Sequence, residues 1–256
     1  IRLHAPGGVS VRDIAVHGEF VYVVGVFQGA FKYANGATAF SQIDGGKTDK
    51  DTGFILCLNK PDGSLVGSFC AKQPSDFRAV VAHTGEDGTS LVYVTGNYGW
   101  RMISSGTPEE RDRTLEIIGE ETRKCHGGGY CDIFVAALST DLETCEWVNS
   151  CGSRVGGQSQ NDTRGALAKK VWAHEEGVHD IVVGDAGDVY ICGAMCGQWK
   201  PYADPKAPFT FEHATAGTAH EYYSNVMING EWIGRTSWFA AKFIADSAST
   251  DVGKVS

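Results

Sequence analysis

Several ingredients are missing from this sequence, and each absence removes a class of protein. No run of five or more basic residues occurs, and 22 Lys and Arg stand against 31 Asp and Glu, a formal charge of -9. A phosphate backbone is held by a basic face, so nucleic acid is not an expected partner. No apolar stretch approaches the roughly 18 residues of a membrane-spanning helix, so insertion by such a helix is not expected either. The chain opens at Ile1 with neither a methionine nor the apolar stretch of a signal peptide, which marks it as an expected processed or excised piece.

Chemical signatures are also missing. The eight histidines show no HExxH or other metal-ligand spacing, and no CxxC pair of the zinc type occurs. There is no GxSxG elbow, and no Ser/His/Asp order can be read from spacing. Neither a metal nor another cofactor is expected, and the chain is read as a non-enzyme. Asp44, Asp49 and Asp51, ending at Gly53, loosely resemble a calcium loop but lack its further Asp and closing Glu. A solvated acidic turn is the better reading.

Glycine, by contrast, is abundant: 33 of 256 residues, spread along the chain, where about 7% is usual. Many tight turns follow, as in an all-β protein. The hydrophobic share of 42% is enough for a full core.

One motif occurs three times, and such repetition outranks any local reading. The first copy runs Arg12-Asp13-Ile14-Ala15-Val16, then Val21-Tyr22-Val23-Val24-Gly25. The second has Arg78-Ala79-Val80-Val81-Ala82, then Val92-Tyr93-Val94-Thr95-Gly96; the third has His179-Asp180-Ile181-Val182-Val183, then Val189-Tyr190-Ile191-Cys192-Gly193. Short β-branched runs flanking polar, glycine-bearing turns spell hairpins. After the shared glycine comes a loop, then a third run at Phe54 to Leu58, Phe134 to Leu138 and Phe239 to Phe243. A fourth run follows in the first two copies, Leu65 to Cys70 and Cys145 to Cys151; in the third the chain stops where it is due.

Strand, turn, strand, long loop, strand, turn, strand is the order of a propeller blade. The expected fold is all-β: three four-stranded antiparallel blades of a β-propeller, incomplete or completed by partner chains. The boundaries are 8–73 for blade 1, 74–152 for blade 2 with an insertion at 101–130, a linker at 153–176, and 177–256 for blade 3 with an insertion at 197–236. A β-sandwich is the competing architecture, but a sandwich does not require its sequence to recur.

These residues resemble the seven-bladed β-propeller repeat family, often called the SBBP repeat. The likeness rests on Asp13, Val21 to Gly25 and Gly25 to Phe31 in copy one, on Asp132 to Leu138 in copy two, and on Asp180, the Tyr190 run and Ser237 to Phe243 in copy three. Ala79 and Ser237 stand where the pattern has Asp. The resemblance implies an extracellular or cell-surface setting and scaffold or binding roles. It brings no catalytic motif.

The even set of eight cysteines, Cys57, Cys70, Cys125, Cys131, Cys145, Cys151, Cys192 and Cys196, favours disulfides in an oxidising compartment over buried free thiols in a cytosolic protein. A hairpin is expected to bring Cys57 and Cys70 within bridging distance, while Cys151 seeks Cys145, Cys131 or Cys125. Asn161-Asp162-Thr163 is a glycosylation acceptor. Both features agree on a secreted protein.

Binding candidates lie on the insertions. Pro108 to Leu115 reads as a short helix capped by Thr107. Trp199, Tyr202, Phe209, Phe211, Tyr222, Tyr223 and Trp232 suit glycan stacking, and suit a satellite core or subunit contact better. Arg12, Arg78 and His179 share one repeat position. They are candidates to ring a channel mouth, or to partner Asp13, Asp180 and nearby carbonyls. The expected function is that of a secreted structural segment, assembling with copies of itself or with other blades of a larger extracellular glycoprotein, as a filament or surface coat. The alternative is a module that binds glycan or protein through its aromatic-rich loops.

Overall fold

The computed structural model describes residues 1–36, 41–98, 114–122, 132–153, 177–185, 187–196, 209–210, 221–222, 225–228, 231–234, 236–244 and 254–255. They form an all-β protein, with no helix among the described residues. The strands are β1 (Arg2–His4), β2 (Val9–His17), β3 (Phe20–Ala34), β4 (Ser41–Asn59), β5 (Leu65–Cys70), β6 (Ser75–Thr84) and β7 (Ser90–Tyr98). Then come β8 (Glu116–Ile117), β9 (Glu120–Glu121), β10 (Asp132–Ser139), β11 (Cys145–Ser153), β12 (Gly177–Val183) and β13 (Val189–Cys196). The last are β14 (Phe209–Thr210), β15 (Glu221–Tyr222), β16 (Asn225–Ile228), β17 (Glu231–Gly234), β18 (Thr236–Ile244) and β19 (Lys254–Val255).

Three sheets carry the repeat. Sheet I orders β2, β3, β4 and β5; sheet II orders β6, β7, β10 and β11; sheet III orders β12, β13, β18 and β19, all antiparallel neighbours. The repeat tyrosines sit in equivalent registers: Tyr22 opposite Cys57, Tyr93 opposite Ala137 and Tyr190 opposite Lys242. Sheet III does possess its fourth strand, since Val255 and Lys254 pair with Phe243 and Ile244. The sequence expectation of a copy stopping short is corrected there.

The turns follow local chemistry. Between β2 and β3 the chain reverses at Gly18, with φ +55. The next two first-turns are the same device: Gly85 N bonds Thr89 O and Gly184 N bonds Asp188 O, with Gly88 at φ +82 and Gly187 at φ +81. Asp62 and Asp87 each accept the backbone N–H two residues on, and Asp141 accepts the Ser139 hydroxyl and then the Glu143 N–H, which holds all three carboxyls below the ordinary range.

Why the motif contains its glycine is a matter of steric room. In every sheet the first strand bulges at one position: between Val11 and Asp13, between Phe77 and Ala79, and between Val178 and Asp180. The bulged residues are Arg12, Arg78 and His179. Beside each bulge lies the shared glycine, paired on its other side with the shared phenylalanine, as Gly25–Phe54, Gly96–Phe134 and Gly193–Phe239. A Cβ on Gly96 would collide with the Asp76 carbonyl and crowd the Phe134 ring, and one on Gly25 would collide with the Ser10 carbonyl and crowd Phe54. Bulge, glycine and phenylalanine are one packing unit.

Two insertions depart from the loops expected. The stretch from Gly25 to Phe54 is no loop: β3 and β4 continue as a long paired arm, with Gly29 opposite Thr48 and Tyr33 opposite Ser41. The Asp44, Asp49 and Asp51 segment therefore lies in a strand, not in an acidic turn. The arm folds back over sheet I, where Asn35 Nδ2 donates to Asp62 O at 2.7 Å and the Tyr33 hydroxyl donates to Gly63 O. Strand β1 pairs with its outgoing strand, β3. Phe31 stacks on Phe27 with centroids 4.7 Å apart and tilts against Phe54 at 4.6 Å, closing a core with Leu56, Leu58 and Cys70. Of the expected Pro108 to Leu115 helix, only Thr114 and Leu115 are described; neither is helical, and Leu115 is fully buried.

Replacing Gly96 by alanine should lower stability by about 2–4 kcal/mol, because the colliding atom is backbone and cannot rotate away. Replacing Gly88, which only loses its left-handed backbone freedom, should cost about 1 kcal/mol. Urea unfolding of the two variants checks both figures.

Candidate assembly faces

The sheets touch in chain order, and the same positions make both contacts. Toward sheet II, sheet I presents Tyr22, Val24, Ile55 and Cys57, all fully buried. Sheet II answers with Phe77, Val80, Val94, Phe134 and Ala136 in the same cluster. Its opposite face carries Tyr93, Val135 and Ala137, and meets Val178, Ile181 and Ile191 of sheet III. Thus Tyr93 repeats the role of Tyr22, and Val178 and Ile181 repeat those of Phe77 and Val80. Burial of each large side chain is worth about 1.5–3 kcal/mol, so the two seams carry most of what holds the sheets together.

The first seam is also heavily hydrogen-bonded. Asp76, almost fully buried, lies between two cations: Arg12 of sheet I reaches both its oxygens, at 3.1 and 3.2 Å, and Arg78 Nε lies 2.7 Å from Oδ2, which it shares with Arg12. Asp13 instead accepts Ile14 N at 2.8 Å and, across the seam, Val80 N at 2.9 Å. Gly53 N donates to Ser75 Oγ at 3.0 Å, and a Cβ there would strike the Phe77 ring. The Tyr22 hydroxyl donates to Thr140 O at 2.9 Å. In the second seam Val178 N donates to the buried Asn97 Oδ1 at 3.2 Å.

Of the three repeat-position residues, then, Arg12 and Arg78 converge on Asp76 rather than on Asp13, while His179 is exposed. Asp76 escaped the sequence reading because no repeat partner marks it: Ser10 and Gly177 hold its place in the other copies. The aromatic candidates are less informative. Trp199, Tyr202, Phe211 and Tyr223 lie outside the described residues, as do Asn161, Cys125, Cys131 and most of the 101–130 insertion. For Phe209, Tyr222 and Trp232 the described feature is the backbone, in β14, β15 and β17; β14 extends sheet II beyond β11, and β17 pairs with β16. Among the described residues no group of three His, Cys, Asp or Glu is placed to hold a metal ion.

The expected Cys57–Cys70 bridge is corrected. Cys57 lies opposite Gly67, while Cys70 lies opposite Phe54, three residues away along β4. Their side chains belong to cores on opposite faces of sheet I, so no bridge spans them. Cys57, Cys70, Cys145 and Cys192 are all free thiols. Burial pushes Cys57 up to about 11 and Cys70 and Cys145 up to about 12.

Both outer faces of the three-sheet stack remain partly bare. On sheet I, Val11, Ile14 and Val16 are 45%, 57% and 58% exposed. On sheet III, Val182 is 54% and Tyr190 38% exposed, with Cys192 and Ala240 open beside them. Lys242 crosses this face, 2.6 Å from Asp188 and 5.6 Å from the Tyr190 ring centroid. The class so defined is an all-β protein of several antiparallel sheets. No family model and no curated protein matches the chain.

Three outcomes are expected. A thiol reagent at pH 8, read peptide by peptide, should label Cys192 and spare Cys57 and Cys70 until the chain unfolds. Because folding raises three thiols above their ordinary value of 9.0, the unfolded chain gives up those protons first. Their contribution is complete below pH 9 and lost as the pH climbs toward 11 to 12, so the urea midpoint should fall between pH 8 and pH 10.5. Replacing Asp76 by alanine, which leaves Arg12 and Arg78 facing each other, should cost about 3–5 kcal/mol in the same assay.

Proposed function

We propose that the chain is a segment of a β-propeller, three blades set around a common axis, and that it serves as a non-enzymatic scaffold whose outer faces take up further sheets. The observation that carries this reading is the recurrence of one seam. Tyr22 and Tyr93 fill the trailing side of the first and second contacts; Val80 and Ile181 fill the leading side. A two-layer packing has no reason to use equivalent residues twice in the same order, whereas radial repetition requires it. The third equivalents, Tyr190 on one side and Ile14 on the other, lie bare at the ends of the stack.

Such faces fit partner sheets, supplied by further copies of the chain or by other blades of a larger protein. Exposed apolar positions aligned with buried equivalents mark contact sites. The extracellular setting in this reading comes from the repeat resemblance and the Asn161 acceptor. The described cysteines, as free thiols, add nothing to it.

Small-angle scattering on the purified chain tests the blade arrangement. Three sheets fanned about an axis should give a curved wedge; a flat stack profile would overturn the reading. Screening against glycoside and ester panels should give no turnover, and reproducible hydrolysis abolished by point substitution would overturn the scaffold role.

A further inference from the structure

The first strand of each following sheet makes the seam. Strand β6 lies across β2, β3 and β4 of sheet I, and β12 lies across β6 and β7 of sheet II. The side chains doing this are Phe77 and Val80 in one case, and Val178 and Ile181 in the other, all buried. In β2 the same places are held by Val11 and Ile14, with Val16 one step along, and these are exposed. The arm and β1 cover Phe54, Leu56 and Leu58 in the outer half of that face, yet leave this first strand open. On sheet III the receiving face is bare at Tyr190 and Val182, the counterparts of Tyr93 and Val81.

We infer that a second copy of this chain docks head to tail, its β2 stripe of Val11, Ile14 and Val16 lying across the Tyr190 face of sheet III. The inference rests on the blade reading above and adds the partner, the faces and the polarity. A second copy is the fitting occupant because its β2 brings the chemistry that the first two seams already accept, and the contact continues those seams in the same order. The contact is heterologous, one patch meeting a different one, so each copy offers both a donor and an acceptor face. Two copies bring together six sheets, within the four to eight at which propellers close. One position departs from the inner seams. Lys242 stands where they have Cys57 and Ala137, and its pairing with Asp188 must be buried for the contact to form. Association is therefore weaker than the internal seams and reversible.

Sedimentation of the whole chain across a concentration series tests this. The wild type should reach a mass of at least two copies as concentration rises. Ile14→Asp and Tyr190→Asp should each remain monomeric, weakened more than about 100-fold by a carboxylate in the apolar seam, with unchanged circular dichroism and melting. Mixing the two variants should restore a dimer, because each keeps the face the other has lost. Lys242→Ala, which recreates the Ala137 seam, should tighten association. A wild type monomeric at every concentration overturns the inference while leaving a wedge-shaped scattering profile, and so the blade reading, intact. An Ile14→Asp variant that still pairs with itself, or a mixture that stays monomeric, overturns it as well.

Discussion

The whole arrangement depends on one constraint: the repeat strands are apolar on both faces. Val21-Tyr22-Val23-Val24 and Phe54-Ile55-Leu56-Cys57-Leu58 offer no polar side to water, and strands of that kind must be covered twice. Sheet II meets the requirement with a neighbour on each side, which is why Val94 and Tyr93, adjacent in sequence, sit in different cores. Among the described residues, sheets I and III have a neighbour on one side each. Sheet I partly covers its own outer face with the β3–β4 arm and β1, so Leu56 and Leu58 are fully buried without a preceding sheet. Sheet III shows no such cover at Val182 and Tyr190.

The end sheets thus differ in kind. An arm that substitutes for a neighbour lets sheet I stand with its heaviest apolar side chains protected, which lowers the hazard that a bare sheet face carries. Sheet III manages its outer face differently, by placing Lys242 and Asp188 across it. A polar pair at the one position that the inner seams keep apolar allows that face to meet water, at the cost of a weaker contact.

The seams also differ in polarity. The first locks sheet I to sheet II through Asp76, Asp13, Ser75 and Tyr22, each a hydrogen bond or ion pair with a defined partner. The second packs Tyr93, Val135 and Ala137 against Val178, Ile181 and Ile191, with Asn97 holding Val178 N. Ala79, where the other copies have Asp13 and Asp180, explains part of this. Without a carboxylate of its own, Val80 N turns to Asp13 of the preceding sheet, and sheet II has no matching oxygen to offer sheet III.

Much of the local architecture was legible in the residues. Short β-branched apolar runs, glycine-bearing turns and a motif used three times depend on side chains close in sequence, so the strands, hairpins and equivalent tyrosines could be read directly. The seams could not, because they join residues far apart along the chain: Arg12 with Asp76, Asp13 with Val80, Tyr22 with Thr140. The same limit explains the cysteines. Which face of sheet I each thiol takes depends on register and on the bulge between Cys57 and Leu58, and spacing does not encode either. By itself the sequence determined that strands form and repeat, through the strand preference of β-branched runs and the turn preference of glycine. Only the tertiary structure decided that the arm folds back on sheet I, that Asp76 collects two cations, and which apolar stripes stay bare, since those depend on packing between distant segments.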